Sequence, residues 1–390
     1  MLMEADRATV SRPDRRARRP WKLSWVRSPW CWGLIAYLVL ALIVASYARA
    51  LMNPGRASVS VRTVEWVREH GGGPLVDAAE NVWYIHRAPP TTAPYPSRVP
   101  LGAGAAPATG GVSEVPAALP AIGSRPAAGE GRWLPVPVDK GPVMFETFLR
   151  PDPAHPGVTA GVARFDQHLV SAELIAGTKE PTHDTGPLVG QVPPGQLDNL
   201  VATFNSGFKM RDAQGGYYAR DRVARPLREG AASLVIDRAG RISVDMWGRD
   251  NHLGSDIAAV RQNLSLIVDN KAPVPGLGDN AGGRWGSTRN QMQYTWRSAL
   301  GVDAAGNLYY VAGDQLTLMT LARALADTGA VRGMELDMHP AMVHLFSYRH
   351  STGAASLTPS PLLTEMRGPA DRYLSPDRRD FIMLTLHPGH

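Results

Sequence analysis

The sequence predicts a strand-rich α+β domain, a mixed sheet with few helices, carried behind one transmembrane helix and a Pro/Ala/Gly-rich linker. Three observations lead there. An uncharged apolar run lies near the N-terminus, prolines crowd the segment after it, and the C-terminal part is made of short apolar runs broken by Gly, Pro and Asp with one stretch at helical spacing. At 390 residues, 44% hydrophobic and 19% charged, the chain is globular in type and long enough for a sizeable core plus appendages.

The apolar run comes first. Between Arg27 and Arg49 stand 21 uncharged residues, SPWCWGLIAYLVLALIVASYA, close to the roughly 20 that span a bilayer. Trp30 and Trp32 at one end and Tyr47 at the other suit the interfacial aromatic belts. A cleaved signal peptide is the competing reading, but its apolar core is about 7 to 15 residues with a small-residue cleavage site. This run is longer, and SYARALM is a poor site. Residues 1–29 form a basic segment and 30–52 the span that contacts lipid. Eight Lys and Arg precede the span, so the positive-inside rule puts the N-terminus in the cytoplasm and the bulk of the chain outside.

Placing the charges removes an apparent case for an acidic partner. The net charge is +6, and residues 1–52 hold nine Lys and Arg against three acids, which gives all of it. The remainder carries 32 basic and 32 acidic groups (41 − 9 and 35 − 3). A basic surface for nucleic acid, which needs clustered cations to neutralise phosphates, has no support there. The only cysteine, Cys31, sits at the membrane edge, so the outer part has no disulfide, thiol nucleophile or thiolate metal site.

After the span, residues 53–87 contain VRTVEWVREH and PLVDAAENVWYIHR separated by Gly71, Gly72 and Gly73, which predicts a juxtamembrane helical hairpin with a glycine break. Residues 88–139 form the linker, with eleven prolines between Pro89 and Pro137. That composition cannot bury a core and favours an extended spacer across the envelope.

The compact domain is predicted over 140–390. VMFETFL, VTAGVARFD and HLVSAELIAG read as strands of a meander; SLVIDRAGRISVDMW is a hairpin turning at DRAG, and RSALGVDAAGNLYYVAGD a second turning at DAAG. From Thr317 to Thr328, Leu318, Leu321, Ala322 and Leu325 recur at helical spacing, and Gly329 is placed to end that helix. MELDM follows as a strand, with Glu335, Asp337 and His339 at every second position and therefore on one face. Two readings fit this alternation: a half-solvated strand, or a site.

The order of these motifs resembles the phosphodiester glycosidase family. A strand ends in Asn-x-Gly-Phe (Asn205, Gly207, Phe208), an RSALG strand and hairpin follow, then an apolar helix ending LADTGA, then a strand closing on Leu-Asp. The family pattern is Asn-Gly-Gly-Phe-Phe, Arg-Thr-Ala-Ile-Gly and Asn-Leu-Asp-Gly-Gly-Gly-Ser, whereas here NSGFK, RSALG and ELDMHPA stand over roughly residues 160 to 345. Asn205, Gly207, Arg297 and Asp337 match position by position; Ser206, Lys209, Glu335, Met338, His339 and Pro340 do not. Consecutive glycines expose backbone N–H groups to an anion, while Pro340 has none to offer.

The resemblance implies hydrolysis of a glycosyl 1-phosphodiester, here in an envelope glycan, which needs a cation for phosphate and two carboxyl groups flanking the scissile bond. Arg297 is the expected cation, with Asn205 and Gly207 in the binding site. Asp337 is the expected catalytic carboxylate. Glu335, about 6.6 Å along the same strand, would approach from the same side, so Asp314 at the end of NLYYVAGD is nominated as the second acid. His339 would replace the lost glycine turn as a charge-assisted donor or general acid near neutrality. His339, His344 and His350 lack metal-ligand spacing, and neither GGYY nor NAGGRWGS has the context of a phosphate loop, so no metal is expected and no cofactor is named. Trp247, Trp285 and Trp296 are available to stack on sugars, though core tryptophans usually pack. A catalytically silent glycan-binding or scaffold module of the same fold is the alternative.

Overall fold

The computed structural model describes residues 29–52, 57–85, 88–92, 101, 115–121, 126–136, 143–181, 190–280, 282–287, 291, 293–350 and 357–387. The basic segment before residue 29, most of the linker and the stretch around Lys140 lie outside the described residues. The chain divides into two units, 1–52 and 53–390. The described part of the first is α1 (Pro29–Met52), 24 residues without an acid, long and apolar enough to cross a membrane.

In the second unit, α2 (Val59–Val67) starts at Ser58, whose hydroxyl accepts from the Val61 N–H, a standard N-cap worth about 1 kcal/mol. The helical path breaks at His70 and Gly71, where Gly71 takes φ +86°, a conformation that costs a glycine nothing. α3 (Gly73–Ile85) then begins. Arg68 ties the two together, its Nη2 reaching Asp77 Oδ1 at 3.1 Å and Glu80 Oε2 at 2.5 Å.

Three antiparallel sheets follow. The largest runs in spatial order Leu134–Pro135, Met144–Leu149, Ala160–Phe165, Leu308–Leu316, Thr295–Asp303, Ala330–Met338, Leu266–Asp269 and Ala272–Pro273. A second, of five strands, contains the hairpin Ala232–Asp237 and Ile242–Met246 that turns through DRAG. The third, also of five, is centred on Leu200–Asn205 and Phe381–Leu386. The expected meander is therefore divided: Met144–Leu149 pairs with Ala160–Phe165 in the large sheet, while Val170–Ile175 joins the third.

The main core forms where the three inner faces meet, around Phe165, Phe204, Tyr217, Leu300, Tyr310 and Leu336. The other face of the large sheet is covered by the helix that the sequence placed at 317–328. α4 (Met210–Ala213) is a single turn, and α5 (Leu318–Asp327) is that covering helix. Leu318, Leu321, Ala322 and Leu325 are all buried there, each leucine contributing roughly 1.5 to 3 kcal/mol. Thr317 and Thr320 cap it reciprocally. With both faces of the large sheet covered, Gly333 to Met338 are buried without interruption, so this strand has no solvated side.

The packed region begins earlier than Lys140. Leu134–Pro135 pairs with Met144–Leu149, Trp133 and Val136 are buried, and the buried Glu130 carboxylate receives Arg150 Nε at 2.9 Å. Part of the segment read as linker is thus tied to the domain by groups that composition does not reveal.

Candidate functional site

The pattern Glu335-Leu-Asp337-Met-His339 does not keep one face. Arg297 pairs with Met338 but Ala299 with Glu335, so two residues of one strand, Leu336 and Asp337, oppose Ser298 alone on its partner. That bulge re-aims the side chains. Glu335 turns into the core, and Asp337 faces a pocket of about 480 Å³ that His339, Pro340, Met342, Lys209 and Arg379 also line. His339 leaves the strand at φ +78°, a glycine's conformation held by a residue with a Cβ, at a cost of roughly 1–2 kcal/mol. Its N–H donates to the Trp296 carbonyl at 2.8 Å, which fixes the turn.

The NSGFK segment lies beside that strand end, with the Asp337 N–H donating to the Ser206 carbonyl at 3.0 Å. A Cβ at Gly207 would sit 3.0 Å from Asn263 Cβ, so the close approach needs glycine. Asn263 holds both segments: its Oδ1 accepts from the Phe208 N–H and its Nδ2 donates to the Glu335 carbonyl at 2.8 Å. The Gly207 carbonyl accepts from Arg379 Nη2 at 2.9 Å, and the same nitrogen lies 2.9 Å from Asp337 Oδ2. Arg379 therefore enters the site from just before the strand Phe381–Leu386, more than forty residues after Asp337 in sequence.

Arg379 has donors to spare. Its Nε is buried without a partner among the described residues, and its Nη1 meets only the Met342 thioether at 3.9 Å. A guanidinium so placed is ready for a further acceptor, and phosphate oxygens suit its fork. Burial pushes the Asp337 carboxyl above its usual range, opposed by Arg379, the Met338 N–H and Lys209. Burial likewise lowers Lys209, against Glu65, whose carboxylate is 3.4 Å from Lys209 Nζ.

The helical pair closes the other side of the pocket through Val61, Glu65, Arg68, Asp77, Glu80 and Tyr84. Glu65, itself buried, also meets Arg378 Nη1 at 2.8 Å. Asn81 accepts from the Gln293 amide, and the Tyr84 ring stacks on His339 with centroids 5.4 Å apart. Glu80 Oε2 stands 3.7 Å from His339 Nε2.

The other expected site residues fall elsewhere. Arg297 does not line the pocket; it is fully buried, with Nη1 at 2.7 Å from both Glu335 Oε1 and Gln291 Oε1, Nε on the Leu316 carbonyl and Nη2 on the carbonyls of Gln291 and Gln293. Every donor is occupied, which leaves Arg297 nothing for a phosphate. Glu335 is its partner, equally buried. Asn205 is a strut: its Nδ2 donates to Ser298 Oγ, and its Oδ1 accepts from the Tyr310 hydroxyl and the His344 N–H. Asp314 is exposed and does not line the pocket with Asp337.

His339 is in the pocket, but as a neutral ring. Burial first, then Arg68 and Arg297, push it down to about 3. It is no charge-assisted donor at neutral pH. His344 contacts the Arg372 guanidinium and His350 the Leu197 carbonyl, apart from it. Of the three tryptophans, Trp285 lines the pocket. Among the described residues no group of three or more His, Cys, Asp or Glu gathers as metal ligands.

Sequence reasoning missed Arg379, Lys209, Glu65 and Glu80. In the motif comparison Lys209 stands only as a departure. The run RRD ahead of an apolar strand was the one available signal for Arg379, and Glu80 with Tyr84, four apart on a predicted helix, the signal for a face turned toward something.

The family comparison agrees with the motif reading. Residues 198–337 match the phosphodiester glycosidase family. No curated protein sequence matches the chain. Among solved structures, a zebrafish N-acetylglucosamine-1-phosphodiester alpha-N-acetylglucosaminidase catalytic domain, auto-inhibited by pro-peptide, is similar at 14% identity and TM-score 0.43, over 64% of this chain and 85% of that one. A hypothetical protein from Synechocystis is similar at 13% identity and TM-score 0.33, over 62% and 64%. A protein from Burkholderia pseudomallei is similar at 13% identity and TM-score 0.27, over 58% and 74%.

Proposed function

We propose that this chain, whose residues 198–337 carry a domain of the phosphodiester glycosidase family, is a membrane-anchored hydrolase of a glycosyl 1-phosphodiester in a cell-envelope glycan. One observation carries the reading: a buried carboxyl, Asp337, shares a pocket with a guanidinium that retains unused donors, Arg379, and with Lys209. The two cations suit the phosphate of the substrate and the charge it gains as it leaves. Asp337 beside them suits proton transfer at the departing oxygen, because burial favours its protonated form. Glu335, Arg297, Asn205 and Gly207 serve by holding the strand end and its neighbours in register. The length and composition of α1 support a bilayer anchor, and the eight cations before it support an outward-facing domain.

The silent glycan-binding reading also has an observation in its favour. Pro340 offers no N–H where the family has glycine, and the strained His339 is neutral. The deciding experiment is incubation of the full chain in detergent with glycosyl 1-phosphodiesters, following release of free reducing sugar together with a phosphomonoester. Turnover supports the hydrolase; saturable binding without turnover supports the silent module.

A further inference from the structure

The pocket has a second acid, and it comes from outside the family-matching segment. α3 is registered by three contacts, two of them on the turn after Asp337: Glu80 Oε2 lies 3.7 Å from His339 Nε2, Tyr84 stacks on the His339 ring, and Asn81 is bonded to Gln293 just ahead of the strand Thr295–Asp303. α2 is fixed by the buried Glu65 between Lys209 and Arg378. The helical pair is therefore seated by specific polar partners, and it presents a carboxylate to the same pocket that Asp337 faces. Asp337 and Glu80 approach from different elements, a strand end and a helix, as flanking of a glycosidic bond requires. Glu335 and Asp314 do not line the pocket.

We propose that Glu80 is the general base of the reaction, taking a proton from the water that attacks the anomeric carbon. The inference rests on the reading of the domain as a hydrolase. The step balances without any other reactant. A bond forms between water oxygen and the anomeric carbon, the bond from that carbon to the phosphate oxygen breaks, the water proton passes to Glu80, and the Asp337 proton passes to the departing phosphate. Free sugar and phosphomonoester result, and solvent restores both carboxyl groups.

The surroundings of Glu80 suit that role. Its charged and titratable neighbours are Arg68 at 2.5 Å, Asp77 and His339. Burial raises its pKa, Arg68 opposes and Asp77 adds to the rise. A base with a raised pKa is stronger at working pH. Neutral His339 supplies no positive charge to weaken it, and its ring is held against Tyr84 so that Nε2 stays beside the carboxylate.

The test uses the full chain in detergent and a glycosyl 1-phosphodiester. Glu80→Gln is expected to lower kcat by about 10²- to 10⁴-fold with KM little changed, and to abolish the rise of rate with pH that marks a base losing its proton. Glu80→Ala is expected to regain rate when formate is added, because a small carboxylate can occupy the vacated space; a helix-positioning role would show no such rescue. A Glu80→Gln variant with wild-type kcat and pH profile, in a protein that does turn over, overturns the assignment and leaves the hydrolase reading intact. A wild-type chain that binds the diester and never cleaves it overturns both.

Discussion

Two buried arginine–carboxylate pairs, whose carboxylates stand two residues apart on one strand, have opposite characters. Arg297 with Glu335 is closed: every guanidinium donor has a partner, and both residues are shut away from the pocket. Arg379 with Asp337 is open, with Nε unpartnered among the described residues and Nη1 against a thioether, on the wall of the pocket. A match of Arg297 to a motif position says nothing about which kind it is. Counting donors does, because a saturated guanidinium has no further hydrogen bond to give and an unsaturated buried one carries a desolvation cost that an incoming anion would relieve.

The largest effect that would break this comparison is on turnover. Asp337→Asn is nearly isosteric and keeps the Met338 N–H contact available, so the fold should persist while hydrolysis of a glycosyl 1-phosphodiester falls by about 10² to 10⁴. Circular dichroism and a progress curve on the same preparation check both halves. An Asp337→Asn variant with full turnover would sink the assignment of the open pair as the chemical one.

For the closed pair the expected loss is stability. Glu335→Ala strands the Arg297 charge in the core, and breaking a buried pair in this way costs about 3–5 kcal/mol. Urea unfolding should show a midpoint shift of that size, with the surviving folded fraction still binding a sugar phosphate. A loss of binding without loss of stability would instead return Glu335 to the site.

Acid should discriminate the neighbourhoods next. His339 and His344 are both pushed down to about 3 by burial, against an unfolded value near 6.5. The unfolded chain then binds more protons than the folded one between those limits, so stability is fully present above about 6.5 and declines as pH falls toward 3, at up to about 1.4 kcal/mol per pH unit for each ring. Glu65 acts in a lower window. Although burial raises it, Lys209, Arg378 and Arg379 together hold it below the ordinary 4.5, so the stability it contributes, present above that value, is lost only as pH falls beneath it. Urea midpoints measured from pH 7.5 to 4.5 should therefore report the histidines against an opposing contribution from Asp337, Glu335 and Glu80, whose raised values add stability as pH falls, and His344→Gln should remove part of the loss at low pH. An unaltered slope in that variant would mean that His344 stays protonated in the fold.

What was legible in the sequence follows from range. The DRAG and DAAG hairpins and α5 are written in local spacing and turn chemistry, and each forms as read. The alternation at Glu335, Asp337 and His339 was equally local and misled, because the bulge that separates Glu335 from Asp337 arises from pairing with Arg297 and Ala299 on another strand. Arg379 was invisible for a related reason. Its neighbours Gly207 and Asp337 are brought to it by two sheets meeting, and no spacing encodes that. Burial likewise made Trp133 and Glu130 part of the domain despite the proline-rich composition around them.

The smallest expected effect sharpens the comparison most, because the same substitution is made in both pairs. Lysine keeps the charge of arginine and loses the planar fork. At Arg297→Lys a single ammonium must replace contacts to Gln291, Gln293, Glu335 and the Leu316 carbonyl, and it cannot reach them all, so buried acceptors go unpaired and stability falls. At Arg379→Lys one ammonium replaces the nitrogen that meets both the Asp337 carboxylate and the Gly207 carbonyl, and the other donors given up have no partner or only a sulfur. The protein should lose little stability. What it loses is a second bond to the substrate phosphate, at roughly 1.4 kcal/mol, or about tenfold in KM, with kcat less affected. Paired measurements of urea midpoint and KM on the two variants should therefore move along different axes, and two variants that both lose stability with KM unchanged would make the open pair as structural as the closed one.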